Sequence, residues 1–155
     1  MLDLRTFVVF AEPQLAGIRR LVATHEEAQK RSLRHVQYHA NPDVAHNLIR
    51  ACDRTSNAHV LVLCQEDLPK IPSRTIRYGH QFARILFREQ MPSTVIVCDT
   101  LGDFQSKDQF PGVFGSIQPD DISSFVRCLL LDPRKSARDF QCALVCILDN
   151  GHRSA

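Results

Sequence analysis

No stretch of this chain reaches the roughly eighteen consecutive apolar residues that a bilayer-crossing helix needs, so no membrane span is expected. No glycine-rich G-x-G-x-x-G or P-loop motif occurs, which removes the common routes to a dinucleotide or a nucleoside triphosphate. None of the six cysteines forms a C-x-x-C pair, and no second Cys/His pair stands at zinc-finger spacing, so no structural metal is expected. Neither charge dominates: the net value is +2, too small for a global field that would force a nucleic-acid or membrane partner. Lysine is scarce, with four against fifteen arginines. Arginine offers a planar fork of donors suited to phosphate and carboxylate, although a GC-rich coding sequence produces the same excess.

What is present reads as an ordinary globular chain. Its 155 residues, 44% hydrophobic and 23% charged, suffice for one domain with a real core. The opening "MLDLRTFVVFAEP" has an acid at Asp3 and only a short apolar core, unlike a signal peptide. With reduced thiols and no export signal, the chain is expected inside a cell, in cytoplasm or nucleus.

Strand-like apolar runs recur at Thr6–Phe10, His35–His39, His59–Cys64, Thr94–Cys98 and Val113–Ile117. Helical patterns alternate with them, over Gln14–Arg31, residues 43–54, residues 73–90 and residues 120–131. The alternation predicts a three-layer α/β/α sandwich with a mostly parallel central sheet. Strands 59–64 and 94–98 are near-continuously apolar, as central strands covered on both faces must be, so Val60, Val62, Val95 and Val97 should be buried. A single α/β domain over 1–131 is expected, with 132–155 as a C-terminal extension.

The predicted helix at 73–90 places Arg74, Arg77, Arg84 and Arg88 within an arc of roughly 80°. Ile76, Gly79, Phe82, Ala83, Leu86 and Phe87 fall on the opposite side. The arginine stripe is either a solvated face or, with Arg50 and Arg54, a docking surface for phosphates or carboxylates.

Enzymes of this architecture place their chemistry at the carboxyl ends of strands. A phosphorylatable receiver domain resembles the layout but needs paired acids after the first strand, an Asp ending the third and a Lys ending the fifth. Here those places read Ala11-Glu12, Cys64-Gln65 and Ser116–Gln118. A flavin or dinucleotide site wants a glycine- or hydroxyl-rich first turn, and "AEPQLAG" is neither. A nucleophilic thiolate at Cys64 would face Glu66 and Asp67, which raise a thiol's pKa. Glu66 and Asp67 are adjacent and should point apart, so they read as turn residues before Pro69 rather than as an acid/base pair. No enzymatic activity and no cofactor are expected.

From residue 40 to about 131 the order of parts resembles the kink-turn RNA-binding superfamily of ribosomal and small-nucleolar proteins. The pieces are "ANPDVAHNLI", "HVLVLCQEDLP", "STVIVCDTLGDF" and "GVFGSIQPDDISSFVRCLL", with Asn41, Glu66, Pro69, Leu101 and Gly102 at the family's motif positions. Where that family follows its Asn with Glu and Lys, this chain has Pro42 and Ala45. The resemblance implies a non-catalytic RNA-binding or ribonucleoprotein subunit, akin to divergent RNase P proteins, whose partners are RNA or the protein subunits of a complex. Residues 6–131 also resemble a Toll/interleukin-1 receptor domain, with "TFVVF" as first strand. "TIRYGHQFARIL" lacks the Glu of that family's NAD-cleaving members, which implies a protein-interaction adaptor.

Overall fold

The computed structural model describes residues 3–33, 35–52, 58–68, 76–99, 111–131 and residue 145. Five strands are β1 (Asp3–Val9), β2 (Val36–His39), β3 (Ala58–Gln65), β4 (Ser93–Cys98) and β5 (Val113–Ile117). The helices whose ends are described are α1 (Glu12–Gln29), α2 (Pro42–Arg50), α3 (Gly79–Arg88) and α4 (Ile122–Leu131). The strands form one sheet in the order β2-β1-β3-β4-β5, and all four pairings are parallel.

Parallel strands need crossover helices, and these cover both faces of the sheet. On one face Val8, Leu61, Leu63 and Ile96 pack under Leu15, Ile18 and Val22 of α1 and Phe125 and Val126 of α4. On the other, Phe7, Val9, Val62 and Val97 pack under Ala45 and Ile49 of α2 and Phe82 and Leu86 of α3. Val60, Val62, Val95 and Val97 are all buried, as central strands require. The expected three-layer sandwich is therefore present, with a sheet that is parallel throughout.

Local chemistry sets the helix ends. Asn41 caps α2, its side-chain oxygen accepting from Asp43 N at 3.0 Å and Val44 N at 3.3 Å. Lys30 ends α1 in the left-handed region, donating its N–H to Glu26 and Glu27 carbonyls. A 3-10 turn, Pro119–Asp121, leads into α4, and Asp121 accepts from Gln118 N at 3.1 Å.

α3 departs from its expected span. Residues 69–75 lie outside the described residues, and the helix begins at Gly79, after Tyr78. Its start is set by tertiary contact: Asp67 and Tyr78 form an antiparallel bridge, and Gly79 N donates to Glu66 O at 2.9 Å. The buried stripe is Gly79, Phe82, Ala83 and Leu86. Phe87, expected on the apolar side, is 63% exposed. The 3.6-residue period carries it past the sheet-facing arc once Leu86 has taken the inner place.

No helix among the described residues is long and apolar enough to cross a membrane. The extension expected at 132–155 lies outside the described residues except for Val145.

Candidate functional site at the strand mouths

In an open parallel sheet of this order, the crevice for ligands lies at the carboxyl ends of the strands, where the crossovers diverge between β1 and β3. β1 leads there into Phe10 and Ala11, β3 into Gln65 and Glu66, β4 into Asp99 and β5 into Gln118. Gln65 points to the α1 face of the sheet and bridges the crevice: Ala11 N donates to its Oε1 at 3.2 Å. Gln65 is buried, as is Phe10 beside Ala11.

Glu66 turns to the opposite face, toward α3. Its Oε2 accepts from His80 N at 3.0 Å, and its Oε1 pairs with His80 Nδ1. One carboxylate thus caps the first turn of α3 and orients the imidazole at once. Glu66 N donates to Cys98 O at 2.9 Å, so the clasp is also fastened to β4. The Tyr78 and His80 rings stack over it, 5.4 Å apart and 15° from parallel. Burial raises the Glu66 carboxyl above its ordinary range, the bonds from His80 oppose that rise, and the Asp99 charge adds to it.

Asp99 is buried at the mouth of β4, and its N–H donates to Ile117 O at 3.0 Å. Burial first, then Asp99 and Asp121, pushes the Cys98 thiol up to about 12. Burial, with Glu66 and Cys98, drives Cys64 well above the usual thiol range, and its Sγ lies 3.8 Å from Ile96 O. Neither thiol is a ready nucleophile. Among the described residues, no three His, Cys, Asp or Glu side chains stand where they could share a metal ion.

The described residues among those picked from sequence do not converge. Asn41 spends its side chain on the α2 cap. Arg50 is exposed in the last turn of α2. Arg77 lies before α3 and is exposed, its N–H donating to Gln81 Oε1 at 2.8 Å. Arg84 and Arg88 are exposed on α3, roughly 8 and 14 Å along the helix from its Gly79 start at the strand mouths. Arg54, Pro69, Arg74, Leu101 and Gly102 lie outside the described residues. Among the described ones only Glu66 is part of the site, and sequence reasoning missed its partner His80. The available signal was "YGHQ": a Gly that permits close approach to a strand end, followed by a His in the first helical turn.

No family model matches the chain, and no curated protein is significantly similar to it in sequence. Solved structures are similar. The signal receiver domain of the putative response regulator NarL from Mycobacterium tuberculosis superposes with a TM-score of 0.53 at 14% identity, covering 93% of this chain and 98% of that one. The receiver domain of Francisella response regulator 1452 gives 0.53 at 14% identity, over 81% and 94%. The receiver domain of a putative Luxo repressor protein from Vibrio parahaemolyticus gives 0.53 at 14% identity, over 99% and 95%.

The fold is that of a receiver domain, which corrects both family resemblances. The kink-turn likeness starts at residue 40 and omits β1, α1 and β2, yet Phe7, Val8, Leu15 and Ile18 are integral to the two cores. Its signature Asn41 is consumed by a helix cap. The Toll/interleukin-1 receptor likeness rested on strand patterns that any doubly wound sheet produces, and the structures that match are receivers instead. RNA and ribonucleoprotein binding find no support in these neighbours.

Proposed function

We propose that the chain is a receiver-fold signalling module that acts by protein contact, without carrying an acyl phosphate and without catalysis of its own. The observation that carries this reading is the bond from Ala11 N to Gln65 Oε1. Forming an acyl phosphate requires a carboxylate oxygen at the end of β3 to attack phosphorus. Gln65 offers an amide there, a poor nucleophile, and its oxygen is engaged across the crevice. Glu66, one residue on, is directed to the other face and held by His80. After the first strand Ala11-Glu12 stands where a pair of acids would hold a cation, so one of the two acids is missing, and Gln118 stands where a lysine would meet the phosphoryl charge.

The signal receiver domains it resembles belong to response regulators, and a receiver fold without their chemistry retains surfaces for protein recognition. The free thiols of Cys52, Cys64, Cys98 and Cys128 support a reducing compartment for that role. The test is phosphotransfer from acetyl phosphate with Mg²⁺, read by intact mass. The reading predicts no phosphoryl adduct, and an adduct cleaved by hydroxylamine, as acyl phosphates are, would overturn it.

A further inference from the structure

Phe87 is the most conspicuous misfit of the described surface. It is 63% exposed, on a helix whose inner stripe is complete without it. Its place is fixed by Gly112, which has φ +90° and lies against the back of α3. A Cβ on Gly112 would meet Ala83 O at 2.5 Å and Phe87 Cβ at 2.9 Å, so only glycine allows the entry to β5 to press so near. The Phe87 ring is thereby set at the rim of a hollow of about 510 Å³, lined also by Arg88, Gln90, Met91, Ser93 and Gly112.

Among the described residues that line the hollow, Arg88 is the one charged side chain, and Arg84 stands one turn before it. Arg84 and Arg88 are exposed and have no acidic partner among the described residues. The nearby acid in sequence, Glu89, is taken by His46 of α2, with His46 Nε2 2.9 Å from its Oε1. Arg84, Phe87 and Arg88 stand at i, i+3 and i+4, a contiguous patch on one helix face. An exposed aromatic beside two guanidinium groups, at the lip of a cavity, is the composition that interface hot spots favour.

We propose that this patch, at the far end of α3 from the Glu66–His80 clasp, docks a partner protein through an acidic segment carrying an aromatic side chain. The aromatic ring enters the hollow beside Phe87, and the flanking carboxylates pair with Arg84 and Arg88, for which the planar guanidinium suits bidentate contact. The inference names a partner class for the protein-contact reading above and rests on it.

The probe is a fluorescein-labelled peptide of alternating glutamate and phenylalanine, titrated with the full chain and followed by anisotropy. Saturable binding is expected, weakened about tenfold by Phe87→Ser and about tenfold by the pair Arg84→Gln/Arg88→Gln. It should also weaken as salt rises. All three residues are exposed, so circular dichroism should show the fold intact in both variants. A peptide with glutamine for glutamate should bind more weakly, as should one with alanine for phenylalanine. Absence of saturable binding would overturn the proposal, as would variants that bind unchanged. So would polyphosphate binding that equals the peptide and ignores Phe87→Ser, or self-association of the chain abolished by Phe87→Ser, which would give the face to a second copy. Failure here with no phosphoryl adduct from acetyl phosphate removes only the docking site. An adduct removes the reading beneath it.

Discussion

Glu66 and His80 lie fourteen residues apart and are joined twice, through His80 N to Oε2 at 3.0 Å and through His80 Nδ1 to Oε1. The pair locks the start of α3 onto the mouth of β3. Because the carboxylate serves both a backbone donor and a ring, its loss leaves two half-buried polar groups without their partner. Glu66→Ala should therefore lower stability by about 1–3 kcal/mol, and Glu66→Gln by less, since the amide oxygen still accepts from His80 N. Denaturant unfolding midpoints measure both. Equal effects of the two variants would contradict the capping role.

The same residue predicts a pH dependence. The Glu66 carboxyl is raised above its ordinary 4.5, chiefly by burial, so the folded chain holds that proton more tightly than the unfolded one. Its contribution to stability is full below 4.5 and is lost as pH rises through the raised folded value. His39 and His59 act in the opposite sense. Burial lowers both from 6.5, so their contribution is full above that value and is lost as pH falls through the lowered ones. Glu66→Gln removes the first dependence and keeps the second. Its stability relative to the parent should climb as pH rises from 4.5, measured by unfolding across that range. A constant difference would be inconsistent with a raised carboxyl.

Gly79 tests how closely α3 approaches the strand. Helix propensity alone favours alanine over glycine by about 1 kcal/mol. An added Cβ, however, would sit 3.0 Å from both Cys64 Sγ and Gln65 O, and the latter is backbone of a central strand that cannot retreat. Gly79→Ala should therefore destabilise, by roughly 1–3 kcal/mol. A stabilised variant in thermal unfolding would show that the junction is looser than described.

Buried thiols should be silent in the native chain. Cys64 is buried, and Cys98 is held up to about 12, while Cys52 and Cys128 are partly accessible. Of these four thiols, iodoacetamide at mildly alkaline pH should label Cys52 and Cys128 first, and Cys64 and Cys98 only on unfolding. Peptide mass mapping resolves the order. Early labelling of Cys98 would contradict its environment.

Much of the fold was legible because each strand announces itself. The unbroken apolar run His59–Cys64 could only be buried on both faces, and it extends as β3 by one residue at each end. α3 was misjudged because local signals, a serine after Pro72 and a long amphipathic pattern, compete with contacts made far along the chain. Asp67–Tyr78 and Gly79–Cys64 decide where it starts, and neither is visible in a window of local sequence. Glu66 looked like turn chemistry for the same reason: its partner sits beyond a segment whose path no periodicity encodes. Against a phosphorylatable receiver stand Ala11-Glu12 in place of paired acids, Gln65 in place of an Asp and Gln118 in place of a lysine. Those residues speak to phosphoryl chemistry, whereas the fold depends on the apolar strands beneath them.

The central claim is that Gln65 closes the crevice where a receiver would carry its phosphoryl group, and the Ala11 amide reports on it directly. In an ¹⁵N–¹H correlation spectrum of the full chain, Gln65→Ala should move the Ala11 resonance upfield as its 3.2 Å hydrogen bond is lost. Adding acetyl phosphate and Mg²⁺ to the parent chain should leave that resonance where it is. A saturable shift of Ala11 with the phosphodonor, together with the Gln65 and Asp99 amides, would contradict the account.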